Sequence, residues 1–173
     1  LGGVAGVNRG TITGCAFQGV VRGGGAAGGI AGVNEASGQI VLCTAGGIVS
    51  GGYSTGGIAG ENYGGLSQCT NRALVNTQEA DASPELDGID WGNLNSTRNF
   101  PACTDTGGIA GYSKGSIQNC VNQGRVGYPH TGYNVGGIAG RQAGYLSGCV
   151  NEELVRGRKD VGGIVGQMEP YTL

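Results

Sequence analysis

The chain has 173 residues, of which 40 are glycine, 13% are charged and 6% are aromatic, and its formal net charge is −2. Only 4 prolines are present and glycine does not recur at every third position, which excludes a collagen helix. Apolar residues make up 38% of the chain and fall in fixed columns, which excludes disorder. The weak acidity predicts no nucleic-acid partner. No apolar run approaches the roughly 18 residues of a membrane span, so we expect no direct membrane insertion.

One pentapeptide, GGIAG or a near copy of it, occurs six times along the chain. The copies begin at Gly2, Gly28, Gly56, Gly107, Gly136 and Gly162, so the starts lie 26, 28, 51, 29 and 26 residues apart. A period of this size is typical of repeat architectures, in which each unit is one supersecondary element. The pentapeptide lacks the G-x-G-x-x-G spacing of a phosphate-binding loop and the helix that would follow it.

Three columns of residues follow the pentapeptide at fixed distances. An apolar residue comes ten positions after its first glycine, a cysteine three positions later, and valine six positions after the cysteine; the second unit has two extra residues before its apolar position. The apolar column is Ile12, Ile40, Leu66, Ile117 and Leu146; the cysteine column is Cys15, Cys43, Cys69, Cys120 and Cys149; the valine column is Val21, Val49, Val75, Val126 and Val155.

These columns predict short β segments rather than helices. Apolar residues lack the three-to-four spacing of a helix, and glycine is too frequent for helix interiors. Stacked units would pair each segment with its copy about 4.8 Å away, so that like residues form ladders. The sequence therefore predicts an all-β fold, a right-handed β-solenoid with three faces per coil. About five coils and a partial one would make a rod of about 25 Å.

The glycine pairs are expected to mark the corners of the coils. Glycine permits positive φ at little steric cost, and it also lets neighbouring coils approach closely. We divide the chain into units 1–26, 27–54, 55–105, 106–134, 135–160 and 161–173 of a single domain. Because the first and last residues both fall inside the repeat pattern, we expect the chain to be a segment of a longer protein.

The columns resemble those of a known family. GGIAG, followed by Asn, by Gly-x-Ile and by Gly-x-Val, is similar to the GLUG-type repeats of bacterial cell-surface and secreted proteins. The resemblance covers nearly the whole chain except one insertion, and it departs from the family at the cysteine column. It implies a β-helical surface module, located outside the cell or on the cell surface, and it implies no catalytic residues.

The 51-residue step contains an insertion over about residues 76–105. It holds the only tryptophan, Trp91, together with Phe100 and Cys103. Six acidic residues against one arginine give it a net charge of −5; they are Glu79, Asp81, Glu85, Asp87, Asp90 and Asp105. One interpretation is a loop whose Trp91 and Phe100 pack on the solenoid wall. The other is a binding loop, in which Trp91, Phe100, Asp87 and Asp90 contact a glycan or a host or bacterial surface protein.

The remaining motifs do not indicate a metal site or a catalytic site. Asp81, Asp87 and Asp90 lack the D-x-D-x-D-G spacing of a calcium loop, so we expect no calcium and no other cofactor. Gly52–Gly56 and Gly111–Gly115 match G-x-S-x-G, but no helix follows either, and the only histidine, His130, lies in a turn-like stretch. We expect His130 to be a solvated loop residue. Zinc is not expected either, because C-x-x-C spacing is absent.

The six cysteines allow two interpretations. Cysteines stacked in successive coils would behave as small buried hydrophobic residues and remain free thiols. Alternatively, Cys103, which lies outside the column, pairs with Cys69 or Cys120 in a disulfide.

The functional expectation is a non-enzymatic module, a stalk, spacer or adhesive segment of a larger bacterial surface or secreted protein. One alternative is a fragment of a polysaccharide-cleaving β-helix enzyme, but outside the insertion only Glu152 and Glu153 are adjacent carboxylates. Another alternative is a filament subunit that stacks end to end through unpaired strand edges.

Overall fold

A computed structural model describes residues 1–77, 90–94 and 104–170. The described residues form 22 β-strands and no helix, and none of them belongs to a helix long and apolar enough to cross a membrane. The named strands pair in parallel with the equivalent strand one coil away. This is a β-solenoid of about five turns, which confirms the predicted all-β solenoid; its right-handedness stays a prediction.

Each coil contributes to four sheets in turn. Sheet 1 contains β1 (Ala5–Asn8), β5 (Ala31–Asn34), β9 (Ala59–Asn62), β14 (Ala110–Ser113), β18 (Ala139–Gln142) and β22 (Val165–Met168). Sheet 2 contains β2 (Thr11–Thr13), β6 (Gln39–Val41), β10 (Gly65–Ser67), β15 (Ser116–Gln118) and β19 (Tyr145–Ser147). Sheet 3 contains β3 (Ala16–Gly23), β7 (Thr44–Gly51), β11 (Thr70–Asn71), β12 (Leu74–Val75), β16 (Val121–Asn122) and β20 (Val150–Asn151). Sheet 4 contains β4 (Ala27–Gly28), β8 (Tyr53–Gly56), β13 (Thr104–Gly107), β17 (Tyr133–Gly136) and β21 (Lys159–Gly162).

Four sheets are one more than the three faces that the sequence predicted. Sheet 4 has no single repeated side chain to reveal it, because the residue before the glycine pair varies among alanine, threonine and valine. That buried inward position holds Ala27, Thr55, Thr106 and Val135 in successive coils. Small and polar residues therefore fill the interior beside sheet 4, and no column of one residue type marks it.

The glycine pairs allow close approach of the coils, but not through positive φ. Among the described residues, the glycines with positive φ are Gly14, Gly47, Gly127, Gly132 and Gly148, and none belongs to a copy of the pentapeptide. A Cβ added at Gly57, the second glycine of its pair, would meet the Asn71 side chain and the carbonyl oxygen of Gly108 in the next coil. The expectation of positive φ was therefore wrong. The second glycine faces the interior, where no side chain fits.

The apolar and valine columns stack in register. Ile12 pairs with Ile40, Ile40 with Leu66, Leu66 with Ile117, and Ile117 with Leu146. The valine column pairs in the same way, from Val21 through Val49, Val75 and Val126 to Val155. Together with the isoleucines of the pentapeptide, which are fully buried at positions 30, 58, 109 and 138, these ladders form the interior.

Two ladders of amides run inside the rod beside the apolar ladders. In sheet 1 the Nδ2 of Asn8 donates to Oδ1 of Asn34 at 2.9 Å, and Nδ2 of Asn34 donates to Oδ1 of Asn62 at 2.9 Å. In sheet 3 Nδ2 of Asn71 donates to Oδ1 of Asn122 at 2.9 Å, and Asn122 continues to Asn151 at 2.9 Å. Buried amides are costly unless they are bonded, so each ladder satisfies its own members by stacking.

Candidate functional site

Within the insertion, the structure describes residues 76–77, 90–94 and 104–105, and residues 90–94 form a tight turn. The Asn93 amide donates to the Asp90 carbonyl oxygen at 3.2 Å, and the Gly92 amide donates to Asp90 Oδ1 at 3.1 Å. The Asp90 carboxylate therefore stabilises this turn. Phe100, Asp87, Asp81 and Cys103 lie outside the described residues, so their predicted roles stay predictions.

Trp91 lies at the tip of this turn and is 71% exposed. Leu94, three residues later, is 60% exposed. The interpretation in which Trp91 packs on the solenoid wall does not fit this exposure. A large exposed aromatic side chain is the kind of residue that anchors a partner, because its contact area is large and its loss of conformational entropy is small.

A cavity of about 360 Å³ lies where the insertion leaves the solenoid. It lies beside the valine ladder, where the exposed residues Leu74, Arg125 and Leu154 precede the valines of successive coils. The Arg125 carbonyl accepts from the Val75 amide at 3.0 Å, and the Leu154 carbonyl accepts from the Val126 amide at 3.0 Å. The lining residues are Leu74, Thr77, Arg125, Val126, Gly127, Tyr128, Pro129, Leu154 and Arg156.

The cavity combines apolar walls with two cations. Leu74 and Leu154 supply apolar surface, Tyr128 supplies an aromatic ring, and Arg125 and Arg156 supply positive charge. Arg125 is solvent-exposed, and its Nε lies 4.0 Å from Oε2 of Glu153, too far for a strong ion pair. Such a cavity has the size and the mixed lining of a small-ligand site that takes a negatively charged group.

The G-x-S-x-G matches do not form a nucleophile site. Ser54 is buried with φ of 49°, and Ser113 is fully buried. The Ser113 hydroxyl accepts a hydrogen bond from Nδ2 of Asn62 at 3.1 Å, where it continues the amide ladder of sheet 1. His130 is exposed, with φ of 60°, in a turn in which the Thr131 amide donates to the Tyr128 carbonyl at 3.3 Å.

A second polar cluster lies on the outer face of sheet 1, and the sequence did not predict it. Glu61, Tyr112 and Arg141 each follow the pentapeptide directly, and the register pairs them in that order. The Arg141 guanidinium lies 4.1 Å from the centre of the Tyr112 ring, and its Nη2 lies 2.9 Å from Oδ2 of Asp105. The signal in the sequence is positional: the residue after the pentapeptide is valine in the first two units and then changes from unit to unit, while the pentapeptide itself is nearly constant.

Tyr63, two residues after Glu61, belongs to the same cluster. Its ring meets Tyr112 edge to face at 6.2 Å, and its hydroxyl donates to Oε2 of Glu61 at 3.0 Å. Burial, together with this bond to a carboxylate, raises the pKa of Tyr63 to about 12. Tyr63 is therefore a neutral hydrogen-bond donor at physiological pH.

The structure does not test the predicted absence of cofactors. The described residues include no group of three or more His, Cys, Asp or Glu side chains that could hold a metal ion together. The Cys69 and Cys120 thiols are free, as are the thiols of the other column cysteines. Because Cys103 lies outside the described part of the chain, a disulfide with either of them stays a prediction.

No family model matches the chain, and no curated protein or solved structure matches it. The GLUG-type resemblance therefore stays a prediction.

Proposed function

We propose that the chain is a non-enzymatic scaffold module of a bacterial surface or secreted protein, which presents an adhesive site at its insertion. The amide and apolar ladders support the scaffold role, because each coil is tied to the next through buried hydrogen bonds. Parallel stacking of this kind makes a stiff rod in which every unit contacts only its neighbours.

One observation carries the adhesive role: Trp91 is 71% exposed on a segment that interrupts an otherwise regular rod. Because most of this side chain is exposed, it adds little to the packing of the solenoid, whereas tryptophan rings commonly serve as stacking platforms and interface anchors. We propose that Trp91 contacts a glycan. We further propose that Arg125 and Arg156, at the root of the same insertion, select glycans that carry carboxylate or sulfate groups.

A glycan array tests the adhesive role. We expect the wild-type chain to bind acidic glycans, and we expect Trp91→Ala to lose most of that signal. Tyr145→Ala is the matched control, because Tyr145 is a 57% exposed aromatic residue on sheet 2. Binding to no glycan, or an equal loss in both variants, would contradict the proposal.

A second comparison tests the charge selection. Arg125→Gln combined with Arg156→Gln should abolish the preference for acidic over neutral glycans, because the charge at the cavity is removed. Arg9→Gln changes an exposed arginine elsewhere and should leave the preference intact. If the double variant keeps its preference, the cavity is not the selecting site.

The alternatives are separated by simple measurements. Electron microscopy of the isolated chain would show filaments if its ends stack, and single rods if they do not. Assays on polysaccharides would show cleavage products if the enzyme alternative held. We expect single rods and no cleavage.

A further inference from the structure

A second cavity lies on the outer face of sheet 3, nearer the start of the chain than the cavity at the valine ladder. Its volume is about 260 Å³, and it is lined by residues of β3 and β7 and by Arg72. At its centre the register places Gly46 between Gln18 of the preceding coil and Arg72 of the following coil. The glycine makes room for the Gln18 side chain, because an added Cβ would meet its Oε1. We call this cavity the Gly46 notch.

A row of hydrogen-bonded side chains holds Arg72 beside the notch. Its Nε donates to Oε1 of Gln123 at 3.0 Å, and Nε2 of Gln123 donates to Oε2 of Glu152 at 3.1 Å. The row ends at Arg72, because the preceding coil has Gly46 at the same outward position. Within the described part of the chain, the Arg72 side chain makes this one hydrogen bond and no ion pair. Its two terminal amino groups are therefore available to a ligand.

The notch and the cavity at the valine ladder belong to one outer face. Arg72 lines the notch, and Leu74, two residues later, lines the other cavity. Both residues are exposed because they alternate with Asn71 and Ala73, which are fully buried. The two cavities therefore adjoin along the rod. Together they reach from the first coil to the fifth, which is about 19 Å at about 4.8 Å for each coil.

This face has the charge to receive an acidic ligand. Arg72, Arg125 and Arg156 are exposed on it. The described residues of sheet 3 in the first four coils, 16–23, 44–51, 70–75 and 121–126, include no Asp or Glu. Carboxylates enter the face only in the fifth coil, as Glu152 and Glu153. An acidic chain lying along the face would therefore meet guanidinium groups over most of its length.

We propose that the outer face of sheet 3 binds a linear acidic polysaccharide along the rod, with one acidic group at Arg125 and Arg156 and another at Arg72 in the Gly46 notch. This inference rests on the proposed adhesive function and extends it from one acidic group to a chain of them. Guanidinium groups bind such anions through paired hydrogen bonds. The Gln18 carboxamide and the Thr44 hydroxyl, which also line the notch, can hydrogen-bond to sugar hydroxyls.

Calorimetric titration of the full chain with oligogalacturonates of defined length tests the inference. A disaccharide is short enough to occupy one cavity, whereas a decasaccharide can occupy both. Because the second contact is then intramolecular, the wild type should bind the decasaccharide at least about tenfold more tightly. The fully methyl-esterified oligosaccharides carry no charge and should show no such gain. Heparin fragments of the same lengths distinguish sulfate from carboxylate, since the series with the larger gain carries the preferred group.

Variants locate the second subsite. Arg72→Gln should remove the gain from length and leave the disaccharide affinity unchanged, because the other cavity is intact. Gly46→Asp should do the same, because its carboxylate would lie in the notch beside Arg72 and repel the acidic chain. Arg9→Gln, which removes an exposed arginine elsewhere, and Ser67→Asp, which adds a carboxylate to sheet 2, are the matched controls and should keep the gain. Circular dichroism of each variant confirms that the β-solenoid is retained.

The outcomes separate this inference from the adhesive function on which it rests. If the wild type binds the acidic disaccharide and decasaccharide equally well, the polysaccharide site is overturned while the adhesive function stands. A gain that survives in Arg72→Gln, or an equal loss in Arg9→Gln, would also overturn it. Binding of no acidic oligosaccharide of any length would contradict the adhesive function and this inference together.

Discussion

The inside of the rod and the outer face of sheet 1 follow opposite rules, although they share strands. Inside, along sheets 1 to 3, similar residues recur from coil to coil, as in the steps from Asn34 to Asn62 and from Ile12 to Ile40. Outside, the position after the pentapeptide holds Val33, Glu61 and Tyr112 in three successive coils. Repeated interior residues keep the coils in register, and the variable outward residues allow one coil to differ chemically from the next.

The physical reason is that stacking places each interior residue beside the equivalent residue of the next coil. A buried amide finds a partner when the next coil offers an amide at the same place, as Asn71 and Asn122 do. An outward residue has water as an alternative partner, so it needs no matching neighbour. Changes inside should therefore lower stability far more than changes on the outer face.

The largest effect is expected where a side chain would enter the interior at the glycine pair. Gly57→Ala should lower the free energy of unfolding by about 3 kcal/mol or more, because backbone and amide atoms of two coils surround the new Cβ. Gly163→Ala is a matched control at the same repeat position, where an added Cβ meets nothing within 4 Å. It should change stability by less than about 0.5 kcal/mol.

Urea unfolding followed by circular dichroism compares the two variants. Equal losses would mean that the second glycine is required for backbone conformation rather than for space, and the distinction between stacked and unstacked corners would fail.

The next effect concerns the amide ladder of sheet 3. Asn122→Ala removes the bonds to Asn71 and Asn151 at 2.9 Å and leaves the buried amide and carbonyl of Gly124 without their partner. Because unsatisfied buried groups cost about 1–3 kcal/mol, we expect a loss of about 2 kcal/mol in urea unfolding. Asn151→Ala, at the half-buried end of the ladder, should lose about 0.5–1 kcal/mol. A larger loss at Asn151 than at Asn122 would show that the ladder is not the source of the effect.

The interior columns were predictable from the sequence, whereas the outer cluster was not. The columns through Ile40, Cys43 and Val49 could be aligned from the chain alone, because stacking repeats them at fixed spacing. The outer cluster could not, because Tyr63 and Tyr112 belong to neighbouring coils that are separated in the chain by the insertion. Only the stacked structure brings them within 6.2 Å.

Sheet 4 and the cavity were missed for related reasons. Ala27, Thr55, Thr106 and Val135 occupy one inward position, and this mixture of residue types does not reveal a column in the sequence. The cavity depends on Leu74, Arg125 and their neighbours, which face outward beside a ladder and vary between units. The cavity lies beside the insertion, for which a binding loop was one of the two interpretations, and that role stays a prediction.

The cysteine column is half-buried at its two ends, Cys15 and Cys149, and buried in between. A third effect should distinguish the Cys149 end from the buried cysteines. Cys149 should be the column cysteine that iodoacetamide alkylates fastest, and the rate should rise with pH through about 7 as its thiolate forms. Cys120→Ala removes the hydrogen bond that lowers this pKa, so the pKa should move toward the value of about 8.5 for a free cysteine. The rate at pH 7 should then fall about tenfold, as measured by mass spectrometry of the Cys149 peptide. Faster labelling of Cys69 than of Cys149 would contradict this order of access.

The smallest effect is expected on the outer face itself. Arg141→Gln removes the ion pairs to Asp105 at 2.9 Å and to Glu169 at 3.2 Å, and it removes the guanidinium from the Tyr112 ring. Partly exposed ion pairs and cation–π contacts contribute little, and Asp105 keeps its bond from Nδ2 of Asn134 at 3.0 Å, so the loss should be about 1 kcal/mol. In 1 M NaCl, where charges are screened within about 3 Å, the difference from wild type should shrink, whereas the loss in Asn122→Ala should not. Arg9→Gln should be neutral under both conditions. A loss at Arg141 that equals the loss at Asn122 and does not respond to salt would mean that this part of the outer face is as essential to the stacking of the coils as the ladders inside.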